Sequence, residues 1–226
     1  MADILFVLTG SRSWTLNDGT AHPTGFWAEE AVVPYRAFTE AGHRVTAATP
    51  GGVVPVADRA SLTDPAMADE VEKIAEFRQP LVLAEVDPAD YDVVYYPGGH
   101  GPMEDLAVDA DSGRLLTRAL ASGRPLGVVC HGPAALLAAR TEDGGSPFTG
   151  YRVTGFTNAE ETQAGLADRA PWLLQDRLVG LGVDFVEGEP WAPHVEVDRN
   201  LVTGQNPASS ALAATELLKL LDASAA

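Results

Sequence analysis

Arg124-Pro125-Leu126-Gly127-Val128-Val129-Cys130-His131-Gly132-Pro133-Ala134-Ala135-Leu136-Leu137 is the stretch from which the chain is best read. An apolar run, Leu126 to Val129, ends directly on a cysteine, and a small-residue helical segment, Ala134 to Ala139, follows with no loop between. This is the pattern of a strand–turn–helix elbow, which pushes a nucleophile out of a sheet and needs small neighbours such as Gly132. A free cysteine is usually a small buried hydrophobe. Here the strand-end position, the adjacent His131 and the helix N-terminus argue for a thiolate and predict a depressed Cys130 pKa.

Similar apolar runs lie on either side. Ile4 to Leu8, Arg44 to Ala48 and Val93 to Tyr96 each run into a Gly- or Pro-containing turn, and Val153 to Thr157 and Leu201 to Thr203 are later candidates. Continuous Val/Ile/Leu runs of this kind suit strands buried on both faces of a parallel sheet. Helical spacing fills the gaps: Glu29 to Gly42, Ser112 to Ser122, Pro171 to Leu181 and Ala208 to Leu221, with Asp64-Pro65 opening a further helix to about Phe77. The acidic stretch Glu104 to Asp111 reads as a solvated loop. Strands alternating with helices predict a doubly wound, mostly parallel α/β sheet with helices on both faces and the ligand site beyond the carboxyl ends of the strands. Neither repeats nor a low-complexity linker interrupt residues 1–226, so one domain is expected.

Composition narrows the function. A formal charge of −17, from 32 acids against 15 bases, opposes binding to a phosphate backbone or an anionic membrane surface. The start, MADILFVLTG, lacks the basic, long apolar character of a secretory signal. A single cysteine excludes internal disulfides and thiolate metal clusters and fits a reducing cytoplasm. His22, His43, His100 and His194 are dispersed, so no metal site is expected. The turns at Pro50-Gly51-Gly52 and Pro97-Gly98-Gly99 lack GxGxxG spacing, so no dinucleotide and no other organic cofactor is expected.

Two further motifs accompany the elbow. Tyr95-Tyr96-Pro97-Gly98-Gly99-His100-Gly101-Pro102 ends another strand, and its bare amides suit an oxyanion hole. Gly25-Phe26-Trp27-Ala28-Glu29-Glu30-Ala31-Val32-Val33-Pro34-Tyr35 places two carboxylates at a helix start. The helix dipole accounts for one of them, and the other is free to point into the cleft as a base.

Together these segments resemble the DJ-1/PfpI superfamily, and within it the Hsp31-like branch. Thr154-Gly155-Phe156-Thr157-Asn158 and Leu201-Val202-Thr203-Gly204-Gln205-Asn206-Pro207-Ala208-Ser209 add to the likeness. The second of these distinguishes the branch from more distant relatives. The resemblance implies a flavodoxin-like sheet and a homodimer. It implies that Glu30, four residues before Pro34, hydrogen-bonds Cys130, with Glu29 as its solvated neighbour. It puts His131 after the nucleophile, Gly98 and Gly99 as oxyanion donors, and a third acid at Glu161, with Glu160 the adjacent alternative. Side chains of neighbouring residues at a turn usually diverge, so His131 is set to face Glu161 rather than to deprotonate Cys130 as a simple dyad. The implied activity is glutathione-independent glyoxalase, turning methylglyoxal or another small 2-oxoaldehyde into a hydroxy acid. Holdase chaperone and deglycase functions are the alternatives within the branch. Glutamine amidotransferase is a third, because His194-Val195-Glu196 has an H-x-E pattern, but its alternation with Val197 reads as one strand of a hairpin.

Overall fold

The structure is a computed structural model and describes residues 1–224. Eleven strands form among the described residues: β1 (Asp3–Val7), β2 (Ser13–Thr15), β3 (Ala21–Pro23), β4 (Arg44–Thr49), β5 (Leu81–Val82), β6 (Val93–Tyr96), β7 (Leu126–Val129), β8 (Arg152–Val153), β9 (Asp184–Phe185), β10 (Val195–Asp198) and β11 (Leu201–Gly204). Seven of them make the central sheet, in the order β10-β11-β7-β6-β1-β4-β5, and every neighbouring pair is parallel except β10 with β11. The apolar runs are strands for the expected reason: β6, β7 and β11 are buried along their whole length. The chain leaves β1 for β4 on one side, continues to the edge strand β5, and then returns past β4 and β1 to β6 on the other side. Right-handed crossovers leaving in opposite directions place their helices on opposite faces.

The helices are α1 (Ala28–Glu40), α2 (Pro65–Lys73), α3 (Ala75–Arg78), α4 (Gly101–Glu104), α5 (Ala110–Ala121), α6 (Asn158–Gln163), α7 (Leu174–Gly180) and α8 (Ser210–Ser224). Helix α5 starts with Asp109 accepting the Ser112 amide, and it buries Leu115, Leu116, Ala119 and Leu120. No helix among the described residues is long and apolar enough to cross a membrane.

Four expectations are corrected. Residues Gly132–Ala138 form a 3-10 helix, not an α-helix. The Val153–Thr157 strand shrinks to Arg152–Val153, because the next amides are used elsewhere: Thr154 donates to the Thr203 hydroxyl and Phe156 to the Cys130 carbonyl. The helix read from Pro171 begins only at Leu174. Glu104 to Asp111 is not a solvated loop, since Leu106 is buried and the Asp105 carboxylate accepts from Thr9, Gly10 and Ser11. His194-Val195-Glu196 does enter a hairpin, as β10 against β11, and Glu196 is salt-bridged to Arg152.

Candidate active site

The carboxyl ends of β6 and β7 lie side by side, so the turns that follow them meet. Cys130 ends β7 with φ 59°, left-handed for a residue with a Cβ. Such a conformation costs about 1–2 kcal/mol and persists only where the surroundings fix it. Here the Cys130 amide donates to the Gly204 carbonyl at 2.9 Å, and its carbonyl accepts from Phe156 at 2.9 Å. A Cβ on Gly132 would lie 2.5 Å from the Tyr96 carbonyl, so the two turns close only over a glycine. Gly98 is equally constrained: a Cβ there would meet the His131 amide nitrogen at 2.6 Å and Glu30 Oε2 at 2.7 Å.

Glu30 reaches this point from the first turn of α1 and is fully buried. Its Oε2 accepts the Gly98 amide at 2.6 Å, and its Oε1 has no ordinary hydrogen-bond partner. The carboxyl interacts with the Cys130 thiol, and each raises or lowers the other's proton affinity. The spacing of Glu30 and Pro34 has a physical meaning here. Proline has no N–H and its ring crowds the carbonyl four residues earlier, so the Glu30 carbonyl lacks its helical donor. The buried Tyr95 hydroxyl supplies one at 2.8 Å and ties the Glu30 turn to β6. Glu29, by contrast, is only partly buried.

On the other side of the thiol, His131 Nδ1 lies 3.3 Å from Cys130 Sγ. His131 Nε2 is 2.7 Å from Glu161 Oε2. The expected divergence of adjacent side chains is therefore corrected: one imidazole faces both the sulfur and the acid. A carboxylate only accepts, so Nε2 carries the proton and Nδ1 is left bare toward the thiol. The third acid is Glu161, not Glu160. Glu160 Oε2 closes the N-terminal capping box of α6 with Thr157, and its Oε1 accepts from the Trp191 amide, Gln205 and Asn206. The Gln205-Asn206 segment thus acts on the neighbour of the site acid, setting α6 in place.

Reading the sequence missed His100. It stood in the quoted Gly-rich turn but was taken as dispersed. The structure brings it beside His131, ring centroids 4.0 Å apart, with Nε2 2.8 Å from Glu161 Oε1. The ring nitrogens of His100 and His131 and the Glu161 carboxylate that face one another all lie within 4.8 Å. His22 comes within 6.3 Å of His100, ring to ring, whereas His43 bonds the Ala2 amide and His194 lies beside Glu196. Phe156 covers His131, centroids 4.4 Å apart, and Trp14 stacks on His100 at 4.9 Å.

Burial sets the protonation states. It pushes Glu30 up to about 8, against the opposing Gly98 amide and Cys130, so the group is a neutral acid at pH 7. Burial also pushes the Cys130 thiol up, and the Glu30 carboxyl adds to this. The expected depressed thiol pKa is thereby overturned in the resting protein. The following helix is a seven-residue 3-10 segment with Pro133, which has no N–H, in its first turn, so it offers little dipole to offset desolvation. His131 is lowered to about 4 by burial and by His100, and is neutral. Burial alone would raise Glu161, but the two imidazoles hold it below the usual carboxylate range. Since His131 is uncharged at pH 7, the N–H donations from His131 and His100 are what stabilise that anion. The oxyanion expectation narrows as well: the Gly98 amide is held by Glu30, and the Gly99 amide is the one that favours negative charge on the sulfur.

The thiol is only 3% exposed. A groove of 540 Å³ shares Trp14 with the aromatic wall of the site, but Cys130 does not line it.

The DJ-1/PfpI family profile matches residues 22–220. A Staphylococcus aureus protein named protein/nucleic acid deglycase HchA is 31% identical over 231 aligned positions, covering 96% of this chain and 77% of that one. A Bos taurus glutamine amidotransferase-like class 1 domain-containing protein 1 is 35% identical over 148 residues, 66% of this chain and 67% of its own. Among solved structures, the Francisella tularensis rapid encystment protein of 24 kDa superposes with TM-score 0.89 at 27% identity, covering 98% of this chain and 99% of that one. Glyoxalase III of Candida albicans shares the fold, with TM-score 0.82, 24% identity and 97% of both chains covered.

Proposed function

The chain belongs to the DJ-1/PfpI family, and we propose that it is a glutathione-independent glyoxalase, a cysteine-dependent enzyme that converts methylglyoxal or a similar small 2-oxoaldehyde to its 2-hydroxy acid. The observation that carries this reading is the pair of buried carboxyls set on either side of one thiol, Glu30 on the Gly98 amide and Glu161 behind His131. Glu30 is a neutral acid with a pKa of about 8, and Glu161 is an anion on His131. Two groups pushed apart in this way mark an acid/base pair, and a carboxyl near pH 8 is well matched to moving protons at neutral pH.

The chemistry follows from the geometry. His131 Nδ1 takes the thiol proton as Sγ attacks the aldehyde carbon. Glu30 gives its proton to the oxygen that becomes negative there, with the Gly99 amide beside it, and a hemithioacetal results. The Glu30 carboxylate then removes the hydrogen on that carbon while His131 protonates the neighbouring carbonyl oxygen, giving an enediol. Glu30 returns its proton to the second carbon and His131 takes back the proton of the first hydroxyl, leaving a thioester. Water attacks the thioester, giving its proton to Glu30, and the thiolate leaves with the His131 proton. The substrate gains one water and no net electrons, so no redox cofactor takes part.

The test is release of lactate from methylglyoxal without glutathione, comparing wild type with Cys130→Ala and Glu30→Gln. Loss of activity in both is expected. Absence of any hydroxy acid from methylglyoxal, phenylglyoxal and glyoxal with the wild type at high concentration would overturn the reading. The HchA match favours a second reading, removal of the same oxoaldehydes from modified amines. The nearly inaccessible thiol weighs against a bulky macromolecular substrate.

A further inference from the structure

Glu161 is shared. Its Oε2 meets His131 and its Oε1 meets His100, both through Nε2, at 2.7 and 2.8 Å. His100 belongs to no arrangement that Cys130 requires for a simple triad, yet it is buried at 8% exposure and held on both faces. The Trp14 indole stacks on it from β2, the His131 ring lies against it at 4.0 Å, and His22 on β3 meets it edge-on. The β2–β3 hairpin lies outside the central sheet. It contributes Trp14, one of the largest fully buried side chains, to this contact.

We infer that His100 is a positioning residue of this site: by donating Nε2–H to Glu161 Oε1, it fixes the carboxylate so that Oε2 faces His131 and keeps His131 Nδ1 directed at Cys130. The argument is one of degrees of freedom. A carboxylate bonded through one oxygen can rotate about its last torsion. With donors on both oxygens, the plane of the group is defined, and the imidazole bonded to it inherits that orientation. The same contact limits how basic His131 becomes. Without His100, Glu161 would rely on His131 alone, and His131 would hold a proton more readily. The other ionisable groups around the pair are Cys130 and Glu160 near His131, and His22 near His100 with Asp58 and Arg169 behind it. They stay unchanged in the variants below.

This inference rests on the glyoxalase reading only for its kinetic arm. The variants are His100→Gln, which carries an N–H where Nε2 was, His100→Asn, whose N–H falls short at the Nδ1 position, and His100→Phe, which keeps the ring and loses the donor. With the 2-oxoaldehyde, kcat is expected to fall between ~10-fold and ~100-fold in the Phe and Asn variants with KM little changed, the size of effect usual for a group that orients another, and to recover in the Gln variant. Independently of turnover, the His131 ring titration is followed by NMR. Its midpoint should move up in the Phe and Asn variants and stay near wild type in Gln. A Gln variant as impaired as Phe would show that an N–H at the Nε2 position is not what the site requires, and would overturn the inference. A His131 midpoint unmoved in the Phe variant would overturn the inference. If the wild type turns over no 2-oxoaldehyde, the glyoxalase reading fails and the titration still decides the role of His100.

Discussion

The Tyr95 hydroxyl and Pro34 act on one atom, the Glu30 carbonyl oxygen, and this makes their relation measurable. Tyr95 is fully buried, and its hydroxyl donates to that oxygen at 2.8 Å. Tyr95→Phe keeps the ring and its packing against Phe6 and Phe38 and removes one donor. The carbonyl is then a buried acceptor with no partner, because residue 34 has no N–H to offer, and the expected cost is ~1–3 kcal/mol. Pro34→Ala restores a helical N–H four residues on. In that background the carbonyl is satisfied without Tyr95, and the cost of Tyr95→Phe should fall below ~1 kcal/mol. The double-mutant cycle therefore predicts a coupling of ~1–2 kcal/mol, in the range expected for residues that share a partner. Urea unfolding with equal slopes across the four proteins gives the numbers. The functional side should follow: Tyr95→Phe loosens the turn that carries Glu30, so kcat should drop while Cys130 remains intact to alkylation. An equal cost for Tyr95→Phe with and without Pro34 would refute the reasoning, since the hydroxyl would then be doing something other than replacing the missing helical donor.

The remaining expectations concern the acids and the thiol. Glu30 has a folded pKa of about 8 against 4.5 for the free group, so the folded state binds the extra proton between those values and stability declines as pH rises from about 4.5 to about 8. At pH 7 the loss amounts to roughly 3 kcal/mol, and Glu30→Gln should be more stable than wild type at pH 7–8 and little changed at pH 4.5; parallel pH curves for the two proteins would show that Glu30 is not a buried neutral acid. His131, lowered to about 4, gives the opposite limb: its contribution is present above pH 6.5 and is lost as pH falls through 4, and His131→Asn should remove that part of the acid unfolding curve. Iodoacetamide should react with Cys130 only slowly at pH 7, with the rate still rising above pH 8.5, and a plateau below pH 7 would contradict the raised thiol. In D₂O the hydroxy acid should carry deuterium at C2 if Glu30 exchanges its proton during turnover, read by mass spectrometry, and Glu161→Gln should reduce kcat far more than Glu160→Gln reduces it per unit of retained stability.

Much of the central sheet could be read from the sequence because its strands are buried on both faces and carry uninterrupted apolar residues, as in Val93–Tyr96 and Leu126–Val129. What escaped has a different physical origin. Ser13–Thr15 and Ala21–Pro23 pair as three-residue strands with no apolar run to announce them, and β5 is two residues long. The identity of Glu161 rather than Glu160 depends on which of two adjacent carboxylates the α6 capping box consumes, and that is settled by Thr157, Gln205 and Asn206 together. His100 was visible as a residue but not as a partner, because only the parallel pairing of β6 with β7 puts the two post-strand turns in contact. The thiol pKa was misjudged for a related reason: an elbow indicates where a cysteine points, while its proton affinity is governed by a carboxyl from α1, 100 positions earlier in the chain.

The contrast between the two carboxyls explains why the site needs so many neighbours. Glu30 and Glu161 are both buried, and desolvation pushes both toward the neutral form. What separates them is the number of donors each receives. Glu30 accepts one amide and leaves Oε1 bare, which is insufficient to offset burial, and it keeps its proton. Glu161 receives two imidazole N–H groups, one on each oxygen, and loses its proton. A site that must donate a proton on one side of a thiol and withdraw one on the other is thus built from the same residue type, with the difference set by backbone: a glycine turn that can spare a single amide for Glu30, and two adjacent strand ends that deliver a pair of histidines to Glu161. This is the physical ground for expecting the His100 variants to raise the His131 midpoint and the Glu30 variant to lose turnover.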